Sequence, residues 1–165
     1  MKKLKVSYSL LSLVLMCACV GNQTDKSAFV QHEGTKLVVN GKDYKFKGTN
    51  FWYGAILGSE GQGGNRERLC AELDSLHALG IDNLRVLVGS DGARGEQDKV
   101  EPTLQEAPGQ YNDTILAGLD FLLSEMGKRD MKAVLYLNNS WEWSGGFGYY
   151  LEQVGKGKIP LPNVA

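Results

Sequence analysis

The feature that most constrains the fold is an alternation of two hydrophobic periods. From residue 45 onward, short apolar runs, "KFKGTNFWYG", "NLRVLVG" and "MKAVLYL", are separated by two segments whose leucines recur every three or four residues. In the first, "RERLCAELDSLHALG", Leu69, Leu73 and Leu76 share one helical face, Asn65 can cap the start and Gly80 can end it. In the second, "TILAGLDFLLSEMGK", Leu116, Leu119, Leu123 and Met126 form the expected stripe, with Asp113 as the candidate cap. Strands alternating with one-faced helices predict a parallel sheet covered by helices. A Rossmann-like fold and a β/α barrel both satisfy that order. The loop "GSEGQGGNRE" lacks the register of a dinucleotide-binding turn and comes after a long aromatic stretch, which weighs against the first.

Ahead of this array, "TKLVVNGKDYKF" places apolar residues on both sides of Asn40 and Gly41. Asn-Gly suits a two-residue turn that needs positive φ at both positions, so a β-hairpin is expected. Residues 20–28 are small and polar and read as a tether.

The first residues carry a different signal. "MKKLKVSYSLLSLVLMCAC" has a basic start, an apolar stretch and then small residues, a secretory signal pattern whose core is too short to span a bilayer. Its end resembles the lipobox of bacterial lipoproteins, and Ala18 before Cys19 fits better than Met16 before Cys17. The expectation is a signal peptide over residues 1–18, lipidation at Cys19, a tether over 19–28 and a partial barrel domain over 29–165. Such a chain would be attached to a bacterial cell envelope, with an ordinary signal peptide as the alternative.

Loss of residues 1–18 removes three lysines and no acid, changing the net charge from -1 to -4, with 15 basic and 19 acidic residues left. Nothing in that balance suggests nucleic acid. Cys70 would then be the one unmodified cysteine, inside a helical pattern, and is read as a small buried hydrophobe. His32 and His77 have no ligand spacing around them, so neither a metal nor a cofactor is expected.

Ligands of β/α folds lie over the carboxyl ends of the strands. Here those ends carry Asn50, Phe51, Trp52 and Tyr53; a long loop over residues 89–111 with no obvious element; and "NNSWEWSGG" at 138–146. Indole faces beside amides and carboxylates suit sugars, whose C–H faces stack on aromatic rings while their hydroxyls need paired donors and acceptors. The competing reading is that Trp141 and Trp143 plug the core while the amides cap loops. Arg85, flanked by Leu84 and Val86, either points inward and demands a carboxylate, or lies at the sheet surface with its stem covered.

Together "GTNFWYG", "RERLCAELDSLHALGIDNLRVLVGS" and "GLDFLLSEMGKRDMKAVLYLNNSWEWSGG" resemble the amino-terminal part of the endo-β-1,4-mannanases of glycoside hydrolase family 5, over residues 29–162. The resemblance implies an α/β (β/α)8 TIM barrel, of which the hairpin and first three βα units are present, and retaining hydrolysis of mannan. It implies that Arg85 supports the catalytic nucleophile. Asn50, Trp52, Asn139, Trp141, Glu142 and Trp143 would line or support the glycan cleft. The family's two catalytic glutamates belong at the ends of the fourth and seventh strands, beyond Ala165, and no Asn-Glu pair occurs here. A complete barrel takes about 250 residues. The expectation is an amino-terminal fragment that is inactive alone, with a non-catalytic surface glycan binder as the alternative and a truncated, poorly folded product as a third.

Overall fold

The computed structural model describes residues 29–92 and 99–157. Cys19 and the whole signal-like segment lie outside the described residues, as do the tether and part of the 89–111 loop. The chain divides into two compact units, residues 1–44 and 45–165.

In the first unit, β1 (Gln31–Glu33), β2 (Lys36–Val39) and β3 (Lys42–Asp43) form an antiparallel sheet in sequence order. The expected turn joins β2 to β3, with Asn40 at φ 53° and Gly41 at φ 70° between the paired Val39 and Lys42. Sequence reading found this hairpin and missed β1, which adds a third strand through the register His32↔Leu37.

The second unit contains β4 (Gly48–Asn50), β5 (Asn83–Leu87) and β8 (Lys132–Tyr136) in one parallel sheet of order β4-β5-β8. Its register sets Asn50, Arg85 and Val134 side by side. Side chains alternate across a strand, so Leu84 and Val86 enter the core while Arg85, between them, takes the opposite, exposed face. That core joins Leu84 and Val86 to Phe51, Leu69, Leu73, Leu122 and Met126.

Helix α2 (Arg66–Ala78) starts at Asn65, whose side chain accepts a hydrogen bond from the Arg68 N–H at 2.9 Å. It ends in a paired C-terminal motif: the Ile81 N–H reaches Leu76 O, and the N–H of Gly80, at φ 75°, reaches His77 O. Helix α3 (Asp113–Lys128) repeats this ending with Asp130, φ 53°, in the glycine's place, and the Met131 N–H bonded to Met126 O.

The structure corrects the start and the face of α3. Asn112, not Asp113, is the cap, accepting from the N–H groups of Thr114 and Ile115 at 3.1 and 3.4 Å. Only a residue with extended backbone can aim its side chain at those groups, and Asp113 is already helical, where its charge favours the positive end of the helix. The buried stripe is Ile115, Gly118, Leu122 and Met126; Leu116 is exposed, and Leu119 and Leu123 flank the core. The sequence pattern is apolar enough to hold two overlapping stripes. The winner is the one containing Gly118, because α1 (Gly54–Gly58) crosses α3 at backbone contact: a Cβ on Gly118 would lie 2.2 Å from Ala55 O.

Two further expectations change. The loop after β5 holds a small antiparallel ribbon, β6 (Gln105–Ala107) with β7 (Gln110–Tyr111). Cys70 is partly exposed rather than buried. After β8, a 3-10 turn at Glu142–Ser144 leads into α4 (Gly146–Gln153).

Candidate functional site

At the carboxyl edge of the sheet, β4 ends on Asn50 and the chain turns where Phe51 is buried, leaving Trp52 beside the sheet's open face. Trp52 meets Trp143 edge to face, with ring centroids 5.1 Å apart and planes at 77°. Trp143 arrives on the segment after β8, which Asn139 shapes: its Oδ1 accepts from the Trp141 N–H at 2.8 Å and from Ser144 Oγ at 2.9 Å. Such a side-chain turn stands in for a backbone turn and fixes the path of the next few residues. From the other side, the Val100 N–H donates to Trp143 O at 2.6 Å, tying this segment to the loop after β5.

These elements enclose a cavity of about 280 Å³ lined by Asn50, Trp52, Arg85, Asn139, Trp141 and Trp143, with Tyr136 at its floor. Six residues singled out from sequence, five at or just after the ends of the first and third parallel strands and Arg85 within the second, therefore share one wall. A second cavity of about 490 Å³ shares Asn50 and the three tryptophans and is completed by Lys99, Val100 and Glu101. The chain has three tryptophans in all, so every indole borders this cleft.

Trp141 is 69% exposed and packs on neither of the two buried clusters among the described residues. Arg85 lies on the sheet face turned away from the helices, the face that turns inward in a closed β/α barrel. Its guanidinium lies 3.7 Å from the centre of the Tyr136 ring, and Nη1 donates to Asn50 Oδ1 at 3.3 Å. Neither of these two partners is an acid.

Glu142 stands apart from the cavity lining. Its carboxylate covers the first turn of α4, so close that a Cβ on Gly148 would lie 2.9 Å from Oε2. A negative charge is favoured at a helix start, which makes Glu142 a support for the turn rather than part of the cleft wall.

Sequence reasoning missed Tyr136, Lys99, Val100 and Glu101. Tyr136 could have been found only from the register, which sets it diagonal to Arg85. The Lys99–Glu101 stretch lies in a loop whose path no periodicity encodes. Also missed was a buried polar cluster behind the wall. Asp91, 6% exposed, accepts from Tyr150 Oη at 2.6 Å and from Gln105 Nε2 at 2.7 Å. Burial, with the neighbouring Asp91 carboxylate, pushes the Tyr150 hydroxyl above its usual pKa. A separate groove of about 390 Å³ on the outer side of β4 is lined by Tyr53, Arg68 and Glu72, which satisfy one another, and by no tryptophan.

A family model described as glycoside hydrolase family 5 β-mannosidase-like matches residues 27–165. The chain belongs to this family. Among solved structures, a glycoside hydrolase family 5 mannosidase of Rhizomucor miehei in complex with mannosyl-fructose is 37% identical, with a TM-score of 0.77 over 83% of this chain and 34% of that one. Mannan endo-1,4-β-mannosidase 1 of Oryza sativa subsp. japonica is 32% identical over 74% of this chain and 27% of its own length. Putative mannan endo-1,4-β-mannosidase 4 of Arabidopsis thaliana is 28% identical over 93% of this chain and 36% of its own length. The chain thus spans about a third of the relatives it matches. Its three parallel strands and their helices are part of a (β/α)8 barrel.

Proposed function

We propose that this chain supplies the first strand ends of the substrate cleft of a retaining, endo-acting hydrolase of β-1,4-mannosidic bonds. The observation that carries the reading is the convergence of Asn50, Trp52, Arg85, Asn139, Trp141 and Trp143 on one cavity at the carboxyl ends of parallel strands. Stacking area and hydrogen-bonding groups on one wall are what a pyranose chain needs. The mannanases and mannosidase among its relatives support mannan over other β-glycans.

In this reading, the indoles take sugar faces, Asn50 and Asn139 present amides to hydroxyls, and Arg85 offers a guanidinium to the acid that would act as nucleophile. Retaining hydrolysis needs two carboxyl groups about 5–5.5 Å apart. Among the described residues, Glu101 is the one acid lining the two cavities. These 165 residues are therefore expected to bind mannan without cleaving it. We also propose anchoring to a bacterial cell envelope through lipid on Cys19, which the mass of the protein recovered from membranes would test.

Calorimetric titration of the chain with mannohexaose, cellohexaose and xylohexaose tests the substrate reading. Binding that favours mannohexaose and is weakened by Trp143→Ala supports it. Absence of binding, or equal binding of all three, removes it. Release of reducing ends from mannan would overturn the expectation of inactivity.

A further inference from the structure

We propose that Asp91 and Tyr150 are positioning residues for the tryptophan wall, holding residues 138–144 in the conformation that presents Trp141 and Trp143 to the cleft. The inference rests on the glycan-binding reading for its function, but not for its structural content.

None of Asp91, Tyr150 and Asn138 lines either cavity. Their hydrogen bonds instead run behind the wall in one fixed direction. An ionised carboxylate can only accept, so Tyr150 Oη must donate to Asp91 Oδ2 at 2.6 Å. The phenol oxygen then keeps its lone pairs for the Asn138 Nδ2 donor at 3.1 Å. The other Asp91 oxygen takes Gln105 Nε2, on the ribbon strand β6, at 2.7 Å. One buried acid thereby sets the orientation of three side chains from three separate segments.

Its backbone acts on the same target. The Asp91 N–H donates to Ser144 O at 3.1 Å. The next residue, Gly145, packs against Asp91 at φ 112°, where a Cβ would lie 2.8 Å from Asp91 Cβ. Only glycine meets both conditions. The segment carrying the tryptophans is consequently held at Asn138, through Tyr150, and at Ser144, through Asp91. Trp141 lies between these two anchors, and its 69% exposure gives it little packing of its own. Its place depends on the backbone, which Asp91 and Tyr150 hold from behind alongside the Asn139 turn and the Val100 bond to Trp143 O. Hydrogen bonds to a charged, desolvated group are the strong ones, so deleting the phenol oxygen should be felt at the wall.

The test uses Tyr150→Phe in the full chain, read by tryptophan emission. Every indole of the chain borders the cleft, so emission reports on this wall alone. The expected result is a red-shifted emission, greater acrylamide quenching and a mannohexaose Kd raised about tenfold, with the far-ultraviolet circular dichroism unchanged. Asp91→Asn is the second variant. Its amide cannot accept at both positions, so either Gln105 turns over and gives up the Gly109 N–H that its Oε1 now accepts at 3.0 Å, or the Tyr150 bond reverses direction, and an intermediate effect is expected. A lowered Tm with unchanged quenching and unchanged Kd would overturn the proposal, because that is the signature of a purely structural hydrogen bond. If Tyr150→Phe does not fold, the quenching of Asp91→Asn decides: a wild-type value overturns the proposal and a raised one supports it. Absence of mannohexaose binding by the unaltered chain would defeat the glycan reading, while quenching would still decide the positioning role.

Discussion

Replacing Arg85 by methionine asks how firmly the cleft guanidinium is held. Methionine keeps much of the aliphatic stem and removes the charge. Two contacts disappear: the stack on Tyr136 at 3.7 Å and the hydrogen bond to Asn50 at 3.3 Å. A cation–π contact at an exposed site is worth about 0.5–1 kcal/mol, and a hydrogen bond this long and exposed adds about 0.5 kcal/mol. The expected loss is therefore about 1–1.5 kcal/mol, seen as a lower urea midpoint at unchanged slope. A double-mutant cycle with Tyr136→Leu should return a coupling of about 0.5–1 kcal/mol. Breaking a buried ion pair would instead cost about 3–5 kcal/mol. A loss of that size, or zero coupling to Tyr136, would refute the placement of Arg85 on the open face. The small value has a functional meaning, since a guanidinium held this lightly remains available to a carboxylate or a sugar hydroxyl.

The end of α3 supplies two other expected outcomes. Hydrogen bonds from Lys128 and then Arg129 hold the Glu125 carboxyl below the usual carboxylate range. Its contribution to stability is full above the unfolded pKa of about 4.3 and is lost as pH falls through the lower native value, so Glu125→Gln should flatten the acid limb of the stability profile below about pH 4.3; an unchanged limb would remove Glu125 from acid unfolding. Asp130→Gly relieves a left-handed residue in the motif that Gly80 occupies on α2, at the cost of an exposed pair with Lys132. It should stabilise by about 0.5–1 kcal/mol and raise the Tm by about 1–4 °C; a lower Tm would mean that the pair outweighs the backbone relief.

The Asn40-Gly41 hairpin, the three parallel strands and the two long helices were legible because each depends on local pattern. Asn65 and Gly80 bracket α2 as expected, and the Asn40-Gly41 turn forms where its φ requirements place it. The legible patterns failed at α3, where the sequence allowed two apolar stripes and a neighbour's close approach to Gly118 chose between them. The cap of α3 was misplaced by one residue for a related reason: Asn112 and Asp113 are both good caps, and only the path of the incoming chain decides which is extended.

For the site, sequence alone determined which residue types stand at the strand ends, because polar and aromatic residues directly after apolar runs are conspicuous without any structure. Trp52, Trp141 and Trp143 could be named for that reason. Tertiary structure decided that they form one wall, that Arg85 rests on Tyr136 and Asn50, and that Glu142 turns to α4. It also revealed the buried Asp91 behind them. The physical reason is one of range. Periodicity and capping act over a few residues along the chain, whereas the register of β4, β5 and β8 and the hydrogen bond from Tyr150 to Asp91 join residues tens of positions apart.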